Sequence, residues 1–168
     1  MHLTLPFAEA LELALQGAPL PALVRELTCA GATIRADIDL RAVVSPPLAL
    51  RAVAAVAPTV RVDATFRSFD AGTATFELTI RAGSVPVQRL LNQLTGVLNS
   101  ALRGQHLPDG LVSIRQGSGG EPLAAVELRR VVALRADGVT LTRFAVDDGA
   151  VELAATVHGF ALHPLRPV

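Results

Sequence analysis

Alternation between apolar and polar residues in the middle of the chain constrains the fold more than any other feature of the sequence. From Thr33 to Val44, from Val60 to Phe66 and from Ala74 to Ala82, even-numbered positions are apolar and most odd-numbered ones are charged or threonine. Successive side chains of a β-strand point to opposite faces of its sheet. The pattern therefore predicts a strand over Thr33–Val44 and a long hairpin over Val60–Ala82, each with one apolar and one charged face.

Helical spacing of apolar residues predicts three helices. Phe7–Gln16 carries its polar residues on one side, and Gly17 ends the pattern. Between Pro19 and Gly31 apolar residues recur every three or four positions, which predicts a second short helix. The longest predicted helix is Val87–Leu102, whose apolar side chains fall within an arc of about 140°.

Strands are predicted again in the last third of the chain. Leu111–Gln116 is a short strand, and Val139–Val146 pairs with Ala150–Val157 around the turn Asp147-Asp148-Gly149. Leu123–Arg135 fits either a strand with a bulge or a helix. Leu48–Val56 fits either a helical turn or an edge segment, and both alternatives stay open at this stage.

Composition restricts the class of protein. The 15 basic residues, all arginine, balance 15 acidic ones, so no net field attracts nucleic acid. One cysteine excludes an internal disulfide and a cysteine-based zinc site. Neither a signal peptide nor a spanning segment is visible, which predicts a soluble protein of a bacterial-type cytoplasm. With 168 residues we expect one domain, made of a helical cap over 1–30, a sheet with a central helix over 33–163, and a loose tail over 164–168.

Residues that could carry chemistry are few. Asp37 and Asp39 share one strand face, but Arg35 and Arg41 flank them, which favours a solvated cross-strand charge ladder over acid–base or metal chemistry. The four histidines are scattered, and Cys29 has no basic neighbour in sequence to activate its thiol. We therefore expect a protein that is not an enzyme, with no catalytic residues, metal ligands or cofactor.

The remaining feature is the long predicted helix facing the apolar side of the sheet. One interpretation is an ordinary core helix. The other is a groove that admits an acyl chain, because the inward faces mix small residues with valine and leucine and supply few large rings. The predicted groove walls are Leu90, Leu91, Leu94, Val97, Leu98, Phe66, Phe76, Leu78, Phe144 and Leu153.

The order of elements resembles a known family. A long hairpin and an amphipathic helix are followed by Leu107-Pro108-Asp109-Gly110-Leu111, and then by the strand–turn–strand pattern from Val139 to Leu153. This is similar to the tubular lipid-binding (TULIP) superfamily, especially its small bacterial LmeA-like members. The resemblance implies a long curved antiparallel sheet wrapped around a long helix, with lipid acyl chains between them. It implies wall positions only, since the family offers no catalytic residues to carry over.

These patterns together predict an α+β domain: a long curved antiparallel sheet wrapped around or packed on one long amphipathic helix, with short N-terminal helices. The predicted function is non-catalytic binding or transfer of a lipid or another long apolar ligand. The alternative is a structural protein that self-associates through strand edges or the N-terminal helices. Nucleic acid is not an expected partner, whereas a homodimer and transient membrane contact stay open.

Overall fold

The structure is a computed structural model, and it describes residues 1–43, 46–82, 85–86, 95–97, 99, 103 and 110–162. Of these residues 56% lie in strands and 24% are helical. The strands are β1 (His2–Pro6), β2 (Val24–Ala30), β3 (Thr33–Asp39), β4 (Thr59–Asp70), β5 (Thr73–Ala82), β6 (Val85–Pro86), β7 (Val112–Gln116), β8 (Pro122–Glu127), β9 (Ala136–Asp147) and β10 (Ala150–Leu162). The helices with described bounds are α1 (Phe7–Leu15), α2 (Leu48–Val56) and α3 (Leu128–Arg135), and a 3-10 turn covers Leu40–Ala42.

Two antiparallel sheets make up most of the fold. The smaller sheet has three strands in the order β1-β10-β9. The larger sheet has seven strands, in the order β2-β3-β4-β5-β8-β7 with β6 paired to β5. Neither sheet closes on itself through the strands that the structure describes. Within the described residues, β2 and β7 are therefore the edge strands of the larger sheet.

The larger sheet buries the apolar face that the alternation predicts. On β5 the side chains of this face are between 0% and 9% exposed, and they are Ala74, Phe76, Leu78, Ile80 and Ala82. Val60 of β4 and Leu50 of α2 join the same core and are fully buried. The predicted hairpin over Val60–Ala82 is confirmed, with β4 and β5 joined at Ala71-Gly72.

A cluster of phenylalanines joins the two sheets. Phe144 of β9 lies 5.6 Å from Phe66, 6.2 Å from Phe69 and 6.3 Å from Phe76, measured between ring centroids. Phe66 and Phe69 are three residues apart, and they face the same side because the register of β4 shifts between Phe66 and Ser68. Such a bulge inserts one extra residue and re-aims the side chains that follow it. The smaller sheet is thereby packed against the apolar face of the larger one.

Backbone hydrogen bonds between turns add a second connection between the sheets. The N–H of Gly149, in the β9–β10 turn, donates to the carbonyl of Gly31 in the β2–β3 turn at 3.0 Å. The carbonyl of Gly149 in turn accepts from the N–H of Phe7 at 2.9 Å. Gly149 has a φ of +72°, a conformation that glycine adopts without the strain of a side chain. This turn therefore fixes both the end of the larger sheet and the start of α1.

The predicted α+β architecture, with one curved sheet wrapped around or packed on a long amphipathic helix, is wrong. The described residues are mostly antiparallel strand, divided between two open sheets, and the helices with described bounds are short. A strand-rich core forms because the sheets cover each other through the phenylalanine cluster. Most of the predicted helix Val87–Leu102 lies outside the described residues, although Thr95–Val97 and Asn99 are helical. None of the helices within the described ranges is long and apolar enough to span a membrane.

The predicted second N-terminal helix is also wrong, because Val24–Ala30 is the strand β2. The register of β2 against β3 shifts between Val24 and Glu26. This bulge spaces the inward residues Val24 and Leu27 three positions apart, which imitates helical spacing. The segment is a strand because its backbone pairs with β3. The first predicted helix is confirmed as α1.

Two other segments depart from the alternation where strand pairing ends, and a third segment is helical. Asp39 is the last residue of β3, so the predicted strand over Thr33–Val44 is too long; there the Asp39 carboxylate accepts from the N–H of Arg41 and caps the 3-10 turn. Leu123–Arg135 contains both alternatives, since β8 pairs with β5 only as far as Glu127 and α3 follows. Leu48–Val56 is the helix α2.

The phenylalanine cluster makes a stability prediction. Removing a buried phenylalanine ring costs about 3–5 kcal/mol, and Phe144 is half-buried, so we expect Phe144→Ala to lower the free energy of unfolding by about 2–3 kcal/mol. Leu13→Ala is the control, because Leu13 is 62% exposed on α1 and should change stability by about 0.5 kcal/mol or less. Urea denaturation measures both. Equal effects of the two substitutions would contradict a core centred on Phe144.

Candidate functional site

Four of the five predicted groove walls on the sheets belong to or pack against the core cluster: Phe66, Phe76, Leu78 and Phe144. Phe66, Phe76 and Phe144 contact one another, with ring centroids 5.6–6.3 Å apart. Phe76 is 7% exposed and Leu78 is 9% exposed. Leu153 of β10 is half-buried and lies opposite Phe144 in the register of the smaller sheet. At these positions the space between the sheets is filled by the protein's own side chains.

The predicted walls on the long helix are described only in part. Val97 is partly buried and packs against the core cluster. The other four predicted positions lie outside the described residues, and they are Leu90, Leu91, Leu94 and Leu98. The structure therefore brings together the phenylalanine walls and places Val97 against the same core.

A groove of about 680 Å³ lies elsewhere, between α1 and the edge strand β2. Its lining is mostly apolar and comes from the end of β1, from α1, from the segment that follows it, from β2 and from the β9–β10 turn. The lining residues are Pro6, Phe7, Ala8, Leu11, Glu12, Leu15, Gly17, Ala18, Leu20, Leu27, Thr28, Cys29 and Gly149.

The fold leaves part of the surface of α1 uncovered, both at the groove and outside it. Leu13 is 62% exposed, and none of the residues of α1 is fully buried. The helix is held at its start, where β1 pairs with β10 and the N–H of Phe7 donates to Gly149. Its end turns away at Gln16 and Gly17, which both have a positive φ. Among the described residues β2 pairs only with β3, so α1 faces an edge strand across the groove.

Cys29 is the thiol of this groove. It is partly buried on β2, and its Sγ lies 3.7 Å from the carbonyl oxygen of Gly31. Burial raises the pKa of the Cys29 thiol above its ordinary value, because desolvation penalises the thiolate. The thiol is therefore protonated at neutral pH and is a poor nucleophile. Because Cys29 lines the groove, a molecule bound there would cover it.

The predicted charge ladder is confirmed, and it lies on the face of the larger sheet that is turned away from the apolar core. Nε of Arg61 donates to Asp37 at 2.8 Å, and Nε of Arg35 donates to Asp63 at 2.8 Å. Both pairs are directly opposite in the β3–β4 register. Two further pairs extend the ladder, Arg25 with Asp39 and Arg67 with Glu77. Hydrogen bonding from Arg61 lowers the pKa of Asp37, and hydrogen bonding from Arg25 lowers that of Asp39.

The carboxylates of the ladder are paired with arginines on the solvent-exposed face of the larger sheet. Within the described ranges of the chain, no group of three His, Cys, Asp or Glu side chains is placed to hold a metal ion. His106 and His163 lie outside those ranges. Asp37 and Asp39 are thus occupied as ion-pair partners and do not converge on a shared site.

Comparison of the chain with protein-family models, with curated proteins and with solved structures finds no match. The resemblance to the tubular lipid-binding superfamily therefore stays a prediction from the order of elements.

The residues of the α1–β2 groove were not among the predicted walls. The sequence shows the amphipathic pattern of α1, but the spacing of apolar residues in β2 imitates a helix, so the pattern alone does not predict that α1 faces β2. Alternation at Leu27 and Cys29, after the bulge, was the sequence signal for a strand here. Nothing in the sequence alone places the β9–β10 turn beside Cys29, since that contact joins segments more than a hundred residues apart.

The charge ladder makes a pH prediction. The pKa of Asp37 is lowered in the folded protein, so its ion pair stabilises the fold above the unfolded value of 3.8 and is lost as the pH falls through the folded value. We expect Asp37→Asn to lower the melting temperature by at most about 4 °C at about pH 7, and by almost nothing at about pH 2.

The control is Asp70→Asn, because Asp70 is exposed at the β4–β5 turn and the described residues give it no ion-pair partner. Thermal melts followed by circular dichroism measure both variants. A loss for Asp37→Asn that does not change with pH would show that the ion pair is not its cause.

Proposed function

We propose that this protein is a non-catalytic binding module for a single-chain lipid or another long apolar ligand, held in the groove between α1 and β2. The observation that carries the proposal is the groove itself, about 680 Å³ in volume and lined mostly by apolar side chains. Small-molecule sites have volumes of about 300–1,000 Å³ and are lined mainly by apolar groups with a few polar ones.

Burial of methylene groups supplies the binding energy in this proposal. Each methylene moved from water into an apolar site contributes about 0.8 kcal/mol, which is up to about fourfold in affinity. The apolar side chains that would contact the ligand come from both walls, with Leu11 and Leu15 on α1 and Leu27 on β2. Of the wall positions predicted from the sequence, Phe66, Phe76, Leu78, Phe144 and Val97 belong to or pack against the core cluster, whereas the ligand of this proposal lies between α1 and β2.

Self-association through α1 is the second candidate function. The observation that favours it is Leu13, which is 62% exposed on the same helix that borders the groove. Native mass spectrometry separates the two functions. A monomer that carries an extractable apolar molecule supports the binding module, whereas a ligand-free dimer supports self-association.

The proposal predicts different effects for two leucines of one helix. Leu11→Ser removes an apolar side chain from the groove wall and should weaken binding of a fluorescent fatty-alcohol probe by about tenfold. Leu13→Ser is the matched control, because Leu13 lies on α1 but does not line the groove, and it should leave the affinity unchanged. Circular dichroism verifies that both variants fold. Equal affinities for Leu11→Ser and the wild type would exclude this groove as the site.

Cys29 provides an independent measurement on the unmodified protein. A bound ligand should slow alkylation of the Cys29 thiol by iodoacetamide at least about threefold, since the ligand covers a residue of the groove wall. The control replaces Cys29 with serine and places the single cysteine at Leu13, where alkylation should not respond to ligand. Mass spectrometry gives both rates. An unprotected Cys29 in protein saturated with probe would place the ligand elsewhere.

A further inference from the structure

The described lining of the groove carries negative charge and no positive charge. Glu12 of α1 is the only charged side chain among the described residues that line it. The Glu12 carboxylate has no ion-pair partner in the described part of the chain, whereas most of the acidic side chains on the larger sheet are paired with arginines. The Glu12 carboxylate, at the rim of an apolar groove, can therefore contact the polar head group of a bound ligand.

Arg25, the arginine of β2, does not neutralise the charge of Glu12. Arg25 lies on β2, but its guanidinium donates through Nε to Asp39 at 2.9 Å, on the charged face of the larger sheet. Arg25 is not among the residues that line the groove. The described lining therefore offers no cation to a ligand carboxylate or phosphate.

The dipole of α1 adds negative charge on the same side of the groove as Glu12. A helix carries partial negative charge at its C-terminal end, where backbone carbonyls point outward. The last turn of α1 contains no basic residue, and Glu12, Leu15 and Gly17 place that end along the groove. The helix end and the carboxylate together make the same region of the rim electronegative.

We propose that the groove selects a single-chain amphiphile with a positively charged head group over one with an anionic head group, and that Glu12 is the residue that determines this specificity. The inference rests on the proposed function, since it names the class of ligand for the same groove. The apolar chain lies along Leu11, Leu15 and Leu27, and the cationic head meets the Glu12 carboxylate at the rim. An exposed ion pair is modest in strength, so the effect is one of selectivity between ligands of equal chain length.

Competition among three ligands of one chain length tests this specificity. Dodecylamine, dodecanol and laurate each displace a fluorescent fatty-alcohol probe from the full chain at about pH 7, where the amine is charged and the acid is ionised. We expect the amine to bind about tenfold more tightly than laurate, with the alcohol between them. Glu12→Gln should reduce this ratio to about threefold or less, and added salt should reduce it in the wild type by screening.

Glu9→Gln is the matched control, because Glu9 lies on the same helix but does not line the groove, and it should leave the ratio unchanged. Equal affinities of the wild type for amine and laurate, or an unchanged ratio in Glu12→Gln, would overturn the specificity while the binding function stands. Failure of all three ligands to displace the probe or to bind would overturn both proposals.

Discussion

The contact between Phe144 and the phenylalanines of β4 and β5 holds the two sheets of this protein together. It joins a three-stranded sheet to a seven-stranded one, with ring centroids 5.6–6.3 Å apart. The chain contains no tryptophan or tyrosine and six phenylalanines, so few large rings are available to fill the space between layers. Four of them gather at this one place, and the small residues around them, such as Ala74 and Ala124, let the sheets approach.

The position of the candidate site follows from this contact. Packing of β9 against the larger sheet brings the β9–β10 turn over the β2–β3 turn, where Gly149 donates to Gly31. The same turn accepts the first N–H of α1, so the helix is held beside β2 at one end. Because α1 is short and amphipathic, part of its apolar surface stays uncovered and forms one wall of the groove. The functional proposal thus depends on an incomplete contact between a helix and a sheet edge.

The sequence predicts the parts of the fold that repeat a simple period. Alternation identified the hairpin of β4 and β5 and its charged face, because strands on a half-buried sheet must expose every second residue. It failed wherever a bulge changed the period: the extra residue near Val24 made β2 look helical, and another moved Phe69 onto the core face. The phenylalanines predicted as walls belong to or pack against the core cluster, and their mutual packing depends on how the two sheets meet. The groove was missed for the same reason, since its walls come from α1, β2 and a turn far along the chain.

Hydrogen exchange measured with and without a bound fatty alcohol locates the ligand on the unmodified chain. We expect slower amide exchange in α1 and in the edge strand β2, which both contribute residues to the groove. We expect no change in β4, β5 and β9, whose rings already fill the space between the sheets. Protection confined to those three strands, or no protection anywhere in α1 and β2 under saturating ligand, would show that the groove is not the binding site.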